Sequence, residues 1–194
     1  MKIDQIEKNW ETYEKLCNRL SDESLNIFLN TCGERIAMCP ASMKLDQYGC
    51  EPGGLVRHAL DVASKMRILN DSMDFGLELD SILKVSLLHE IGKIGDLEND
   101  YFIPQESEWH REKLGQMFIY NPKVQKMSIY HRTLFLLQHF GIKLTIDEWI
   151  AIQVSTGLHF EENRFYAGSE PTIGLLLSNA KQIVIHSSIN LNND

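Results

Sequence analysis

Ser81-Ile82-Leu83-Lys84-Val85-Ser86-Leu87-Leu88-His89-Glu90-Ile91-Gly92-Lys93 is apolar on nearly every side until it delivers an imidazole and a carboxylate side by side. A short segment this apolar reads as a buried helix, with Asp80 or Ser81 able to cap its start and Gly92 suited to its end. Two polar groups carried into a core are costly unless something compensates both, and a metal ion is one such compensation. Histidine offers a ring nitrogen to a metal at neutral pH, and glutamate offers the hard oxygen that hydrolytic divalent ions accept. Neighbours on a helix point about 100° apart, so another element must complete the shell. His58 is the natural third ligand, because it lies on the preceding helical stripe of Leu55, Val56, Ala59, Leu60, Ala63 and Met66.

The flanking segments read as helices. Ile6, Trp10, Tyr13, Leu16, Leu20 and Leu25 can line one side of a helix or helix pair, giving an N-terminal packing element over 1–36. Periodicity then fails from Cys32 to Gly54, where Gly33, Pro40, Gly49, Pro52, Gly53 and Gly54 predict turns and an irregular pocket rim. Asp96 to Glu108 reads as an acidic, aromatic surface loop, with helical signals returning over His110–Tyr120 and from Pro122 to Phe140. Thr145-Ile146-Asp147-Glu148 has the form of a capping box, and a last helix is expected to start near Pro171 and to include Leu175, Leu176, Leu177, Ala180 and Ile183. No sustained strand alternation occurs. The expected architecture is all-α, a compact helical bundle in one globular unit, with the main domain over 37–187 and a polar tail over 188–194.

Composition narrows the function. A chain of 194 residues with 43% hydrophobic content can bury one substantial core. Cys17, Cys32, Cys39 and Cys50 form no C-x-x-C pair and follow no apolar leader, which predicts reduced thiols and a cytoplasmic location. No stretch has the length of a membrane span. The net charge of −8 argues against a broad nucleic-acid-binding surface but leaves room for a small phosphorylated substrate neutralised locally.

Gly53-Gly54-Leu55-Val56-Arg57-His58-Ala59-Leu60 and Leu87-Leu88-His89-Glu90-Ile91-Gly92-Lys93 together resemble the first histidine and the His-Asp signature of the HD superfamily of metal-dependent phosphohydrolases. Cys39-Pro40-Ala41-Ser42, Trp109-His110-Arg111-Glu112-Lys113-Leu114-Gly115 and Leu137-Gln138-His139-Phe140-Gly141-Ile142 extend the likeness to uncharacterised HD proteins of bacteria and tailed phages. The resemblance implies an HD-like bundle holding a divalent ion (Mg, Mn, Fe, Ni or Zn) that hydrolyses a phosphomonoester or phosphodiester, most plausibly a nucleotide. It implies further metal ligands at His110 and His159. Lys93 would then stabilise phosphoryl charge, Asp96 would orient water or a leaving group, and Arg57 and Arg111 would clamp phosphate.

Two residues depart from that pattern. Glu90 stands where the superfamily has Asp, and Lys181, in Ser178-Asn179-Ala180-Lys181, aligns with its last Asp ligand. A protonated amine cannot ligate a cation. Either Lys181 pairs with Glu90 in a metal-free site, or it points away while water or Asn179 completes the shell. The first case describes a degenerate module that binds a nucleotide, another phosphorylated ligand or a partner protein.

Overall fold

In the computed structural model, which describes residues 1–190, the chain is a helical bundle with one small hairpin. Helices α1 (Ile3–Arg19) and α2 (Glu23–Met38) form an N-terminal pair, α2 being capped by Asp22, whose carboxylate accepts the Leu25 N–H. Then come α3 (Gly54–Met73), α4 (Leu79–Leu88) and a 3₁₀ turn over Ile91–Ile94. The strands β1 (Phe102–Pro104) and β2 (Phe118–Tyr120) pair antiparallel on either side of α5 (Glu108–Leu114). Helices α6 (Ile129–His139), α7 (Ile146–Val154) and α8 (Thr172–Asn190) complete the bundle.

The central element is α4, and its sequence explains why. Leu83, Leu87 and Leu88 pack into one core with Tyr13, Phe28, Val56, Leu137 and Ile152. Ile82 and Val85 pack into a second, with Val62, Met66, Ala151, Leu177 and Ala180. A helix apolar on all sides has to be enclosed. Enclosure by α3, α7, α8 and the N-terminal pair carries His89 and Glu90 to the centre of the molecule. The Tyr13 hydroxyl donates to the Leu87 carbonyl at 2.9 Å, so the N-terminal pair shares this core.

Close backbone approach fixes the two ends of the site. A Cβ at Gly54 would lie 2.0 Å from the Gly49 carbonyl oxygen, so the Gly-Gly pair lets the loop before α3 fold onto the helix start. A Cβ at Gly92 would lie 2.2 Å from the Ile129 oxygen and 2.7 Å from the Thr133 nitrogen. The Gly92 N–H donates to Thr133 Oγ1 at 2.9 Å, and the Gly92 carbonyl accepts from the buried Arg132 guanidinium at 3.2 Å. Gly92→Ala is therefore expected to destabilise the fold by about 1–3 kcal/mol through overpacking, read as a lowered thermal midpoint. An unchanged midpoint would contradict this contact.

Several sequence expectations are corrected. Cys32–Met38 is helical rather than irregular; Gly33 sits within α2, where a Cβ would lie 3.0 Å from the Trp10 ring. Phe118–Tyr120 is a strand because its residues pair with Phe102–Pro104 instead of extending α5, which stops at Gly115. Pro122 lies in a turn, and α6 starts only after Ser128, whose hydroxyl caps it. Neither Asp80 nor Ser81 caps α4: they lie inside it, and the Ser81 hydroxyl donates to Glu148. Residues 188–190 belong to α8, and 191–194 of the expected tail lie outside the described residues. Among the described residues, no helix is long and apolar enough to cross a membrane.

Candidate functional site

The end of α4 and the 3₁₀ turn after it present His89, Glu90 and Lys93; α3 presents His58, α8 presents Lys181, and the loop before α3 presents Tyr48. Ligand atoms of His58, His89 and Glu90 all lie within 4.8 Å of one another and are buried, so this cluster could hold a metal ion. His89 Nδ1 lies 2.9 Å from the Ser86 carbonyl, which can only accept, so Nδ1 carries the hydrogen. Its Nε2 then presents a lone pair to the cluster. The Nε2 atoms of both histidines are buried without a hydrogen-bond partner among the described residues.

The carboxylate is already engaged. Lys93 Nζ donates to Glu90 Oε2 at 2.5 Å, and Lys181 Nζ donates to Oε1 at 2.7 Å. Lys93 also donates to the Tyr48 hydroxyl at 2.8 Å, and that hydroxyl lies 3.3 and 3.4 Å from the two Glu90 oxygens. The Tyr48 ring covers the His58 ring at 4.4 Å between centroids. Lys181 Nζ donates in addition to the Ser155 carbonyl at 3.3 Å. Two ammonium groups against one carboxylate leave an excess positive charge. The spacing of the three ligand atoms suits a metal, but this charge opposes a divalent cation.

Burial and these neighbours set the protonation states. Burial holds His58 well below the ordinary imidazole value, and the nearby Glu90 carboxylate opposes the shift only partly. Burial likewise pushes His89 down to about 4, again against Glu90. For Glu90 burial alone would raise the pKa, but Lys181 and then Lys93 outweigh it and hold the carboxyl well below its usual range. Both histidines are therefore neutral in the folded protein at pH 7.

This has a consequence for stability. Below about pH 6.5 the unfolded chain takes up protons that the folded imidazoles refuse. Stability should therefore fall as pH drops from about 6.5 towards 4, with Glu90 adding a further loss below the unfolded carboxylate value of about 4.3. Thermal unfolding across pH 7.5 to 4.5 measures this, and a midpoint that stays level below pH 6.5 would contradict neutral buried imidazoles.

A cavity of about 270 Å³ opens beside the cluster, lined by Tyr48, Gly49, Arg57, His58, Asp61, Val184 and Ser188. Arg57 thus lines the cavity, and its guanidinium bridges to Glu51 at 2.7 Å.

The other residues singled out from the sequence are not brought to this cluster. His110 Nδ1 bonds the Ser107 hydroxyl at 2.8 Å at the start of α5, and the ring of exposed His159 lies 4.3 Å from that of Phe160, tilted by 36°. Neither is among the converging ligand atoms. The Arg111 guanidinium donates to the Gln105 and Glu106 carbonyls, holding the loop before α5. Asp96 accepts the Glu98 and Asn99 N–H groups and so shapes a turn lining a separate cavity, while Arg35 ties down the same turn through the Ile94, Asp96 and Asn99 carbonyls. Sequence reasoning missed Tyr48. Its one signal was an aromatic residue beside Gly49 in a turn-rich loop.

Compared with models of known protein families, with curated proteins and with solved structures, the chain matches none.

Proposed function

We propose that this chain is an HD-type domain in which the charge of Lys181 stands in for a metal ion, making it a module that binds a small phosphorylated ligand and does not hydrolyse it. The observation that carries this reading is the pair of ammonium groups on Glu90, Lys93 at 2.5 Å and Lys181 at 2.7 Å. A divalent ion would have to join an assembly already positive in excess, whereas an anion neutralises it. The cavity volume of about 270 Å³ falls just below the range of small-molecule sites, roughly 300–1,000 Å³, which supports a ligand no larger than a mononucleotide. Arg57 is already paired with Glu51, so the anionic end of the ligand is assigned to the lysine cluster, which adjoins the cavity through the Tyr48 hydroxyl that Lys93 holds. Asp61, which also lines the cavity, suits hydrogen-bond donors such as sugar hydroxyls on the remainder.

One observation favours a second reading, metal-dependent hydrolysis. The two unpartnered Nε2 atoms are neutral imidazole ligands in waiting. A bound divalent ion supplies an acidified water and polarises a phosphoryl oxygen; His58, His89 and Glu90 would hold it, and Lys93 would face the phosphate. Calorimetric titration with a panel of nucleotides, run beside a phosphate-release assay with and without divalent ions, separates the two. Saturable binding without release is expected. Release that requires added metal and disappears in His58→Ala and His89→Ala would overturn the proposal in favour of the second reading.

A further inference from the structure

The cluster's unused hydrogen-bonding capacity defines the group it can receive. An ammonium has three donors. Lys93 spends two, on Glu90 and Tyr48, and Lys181 spends two, on Glu90 and the Ser155 carbonyl, so each keeps one N–H among the described residues. On the acceptor side, the His89 Nε2 lone pair, fixed by the Nδ1–H bond to the Ser86 carbonyl, is unpartnered among the described residues on a side chain only 1% exposed; His58 Nε2, 3.8 Å from Glu90 Oε2, also makes no hydrogen bond there. A matching ligand therefore brings acceptors to two ammonium groups, at least one donor to an imidazole, and a negative charge.

We propose, building on the reading of the site as a phosphate-binding module, that its ligand ends in a phosphomonoester rather than a phosphodiester. The terminal phosphoryl group, as its singly protonated anion, meets these demands together: unprotonated oxygens accept from Lys93 and Lys181, and the P–OH donates to an imidazole Nε2. A monoester's second pKa is near 6, so this form is accessible at neutral pH. A diester carries the same single charge but has no hydrogen to donate, and it leaves the buried His89 Nε2 lone pair unsatisfied. Tyr48 and His58 both line the cavity, their rings 4.4 Å apart, and the loop neighbours Leu45, Asp46 and Gln47 of Tyr48 are exposed.

The test uses the full chain and calorimetric titration with inorganic phosphate, the four 5′-ribonucleoside monophosphates and their 3′,5′-cyclic counterparts. At least one monoester is expected to bind on the order of tenfold or more tightly than its cyclic diester, the factor an unsatisfied buried acceptor commands. Equal or tighter binding of the cyclic partner overturns the monoester assignment while leaving the binding-module reading intact. No binding by any compound, inorganic phosphate included, overturns both.

Discussion

Glu90→Gln is expected to cost the fold about 3–5 kcal/mol, the loss typical when one member of a buried ion pair is removed and its partners stay charged. Glu90 is the carboxylate shared by Lys93 and Lys181, whose side chains are 5% and 12% exposed. Glutamine keeps the shape but leaves two ammonium groups with no counter-charge. For a chain of this length the loss corresponds to a fall of roughly 10 °C or more in the thermal midpoint. The companion Lys181→Met should cost far less, since the Lys93–Glu90 pair it leaves behind is electrically balanced. Thermal unfolding of the two variants side by side decides the matter. If Glu90→Gln proves as mild as Lys181→Met, Glu90 is not the counter-charge described above.

Lys181→Glu should convert the cluster into a metal site. The substitution turns an excess positive charge into an excess negative one, with Glu90 and the new carboxylate facing Lys93, and adds a fourth ligand to His58, His89 and Glu90. An extended glutamate is shorter than lysine, and a coordination bond of roughly 2.1 Å makes up much of the difference. The purified variant is expected to take up one zinc or manganese ion per chain. With metal at a hundredfold excess over its Kd, the stability gain should be about 2.7 kcal/mol. A folded variant that binds no metal would show that the two imidazoles and Glu90 do not share a coordination point.

The sequence disclosed the bundle through helical periodicity and the site through two apolar stripes that each carried a histidine. It disclosed them unevenly, for physical reasons. The apolar run Ile82–Leu88 had to be enclosed, so the burial of His89-Glu90 at its end was legible from polarity alone. The meeting of Lys181 with Glu90 stood among the open alternatives, but choosing it required knowing which side of α8 faces α3, which is a matter of packing. Tyr48 lies in a segment without periodicity, where side-chain direction depends on the Gly49–Gly54 backbone contact, and no local pattern encodes that. The resemblance made Asp96 a residue to orient water or a leaving group and Arg111 a phosphate clamp. Their hydrogen bonds go instead to backbone groups of adjacent loops, a use that any acid or arginine near a turn can have.

The central claim, that lysine charge occupies the place of a metal ion, is tested most directly by the metal content of the wild-type protein. Elemental analysis would follow saturation with zinc, manganese, iron, nickel or magnesium and then extensive dialysis. The arrangement of Lys93 and Lys181 on Glu90 predicts well under one ion per chain for every metal. One tightly held ion per folded chain, lost in His58→Ala, would contradict it.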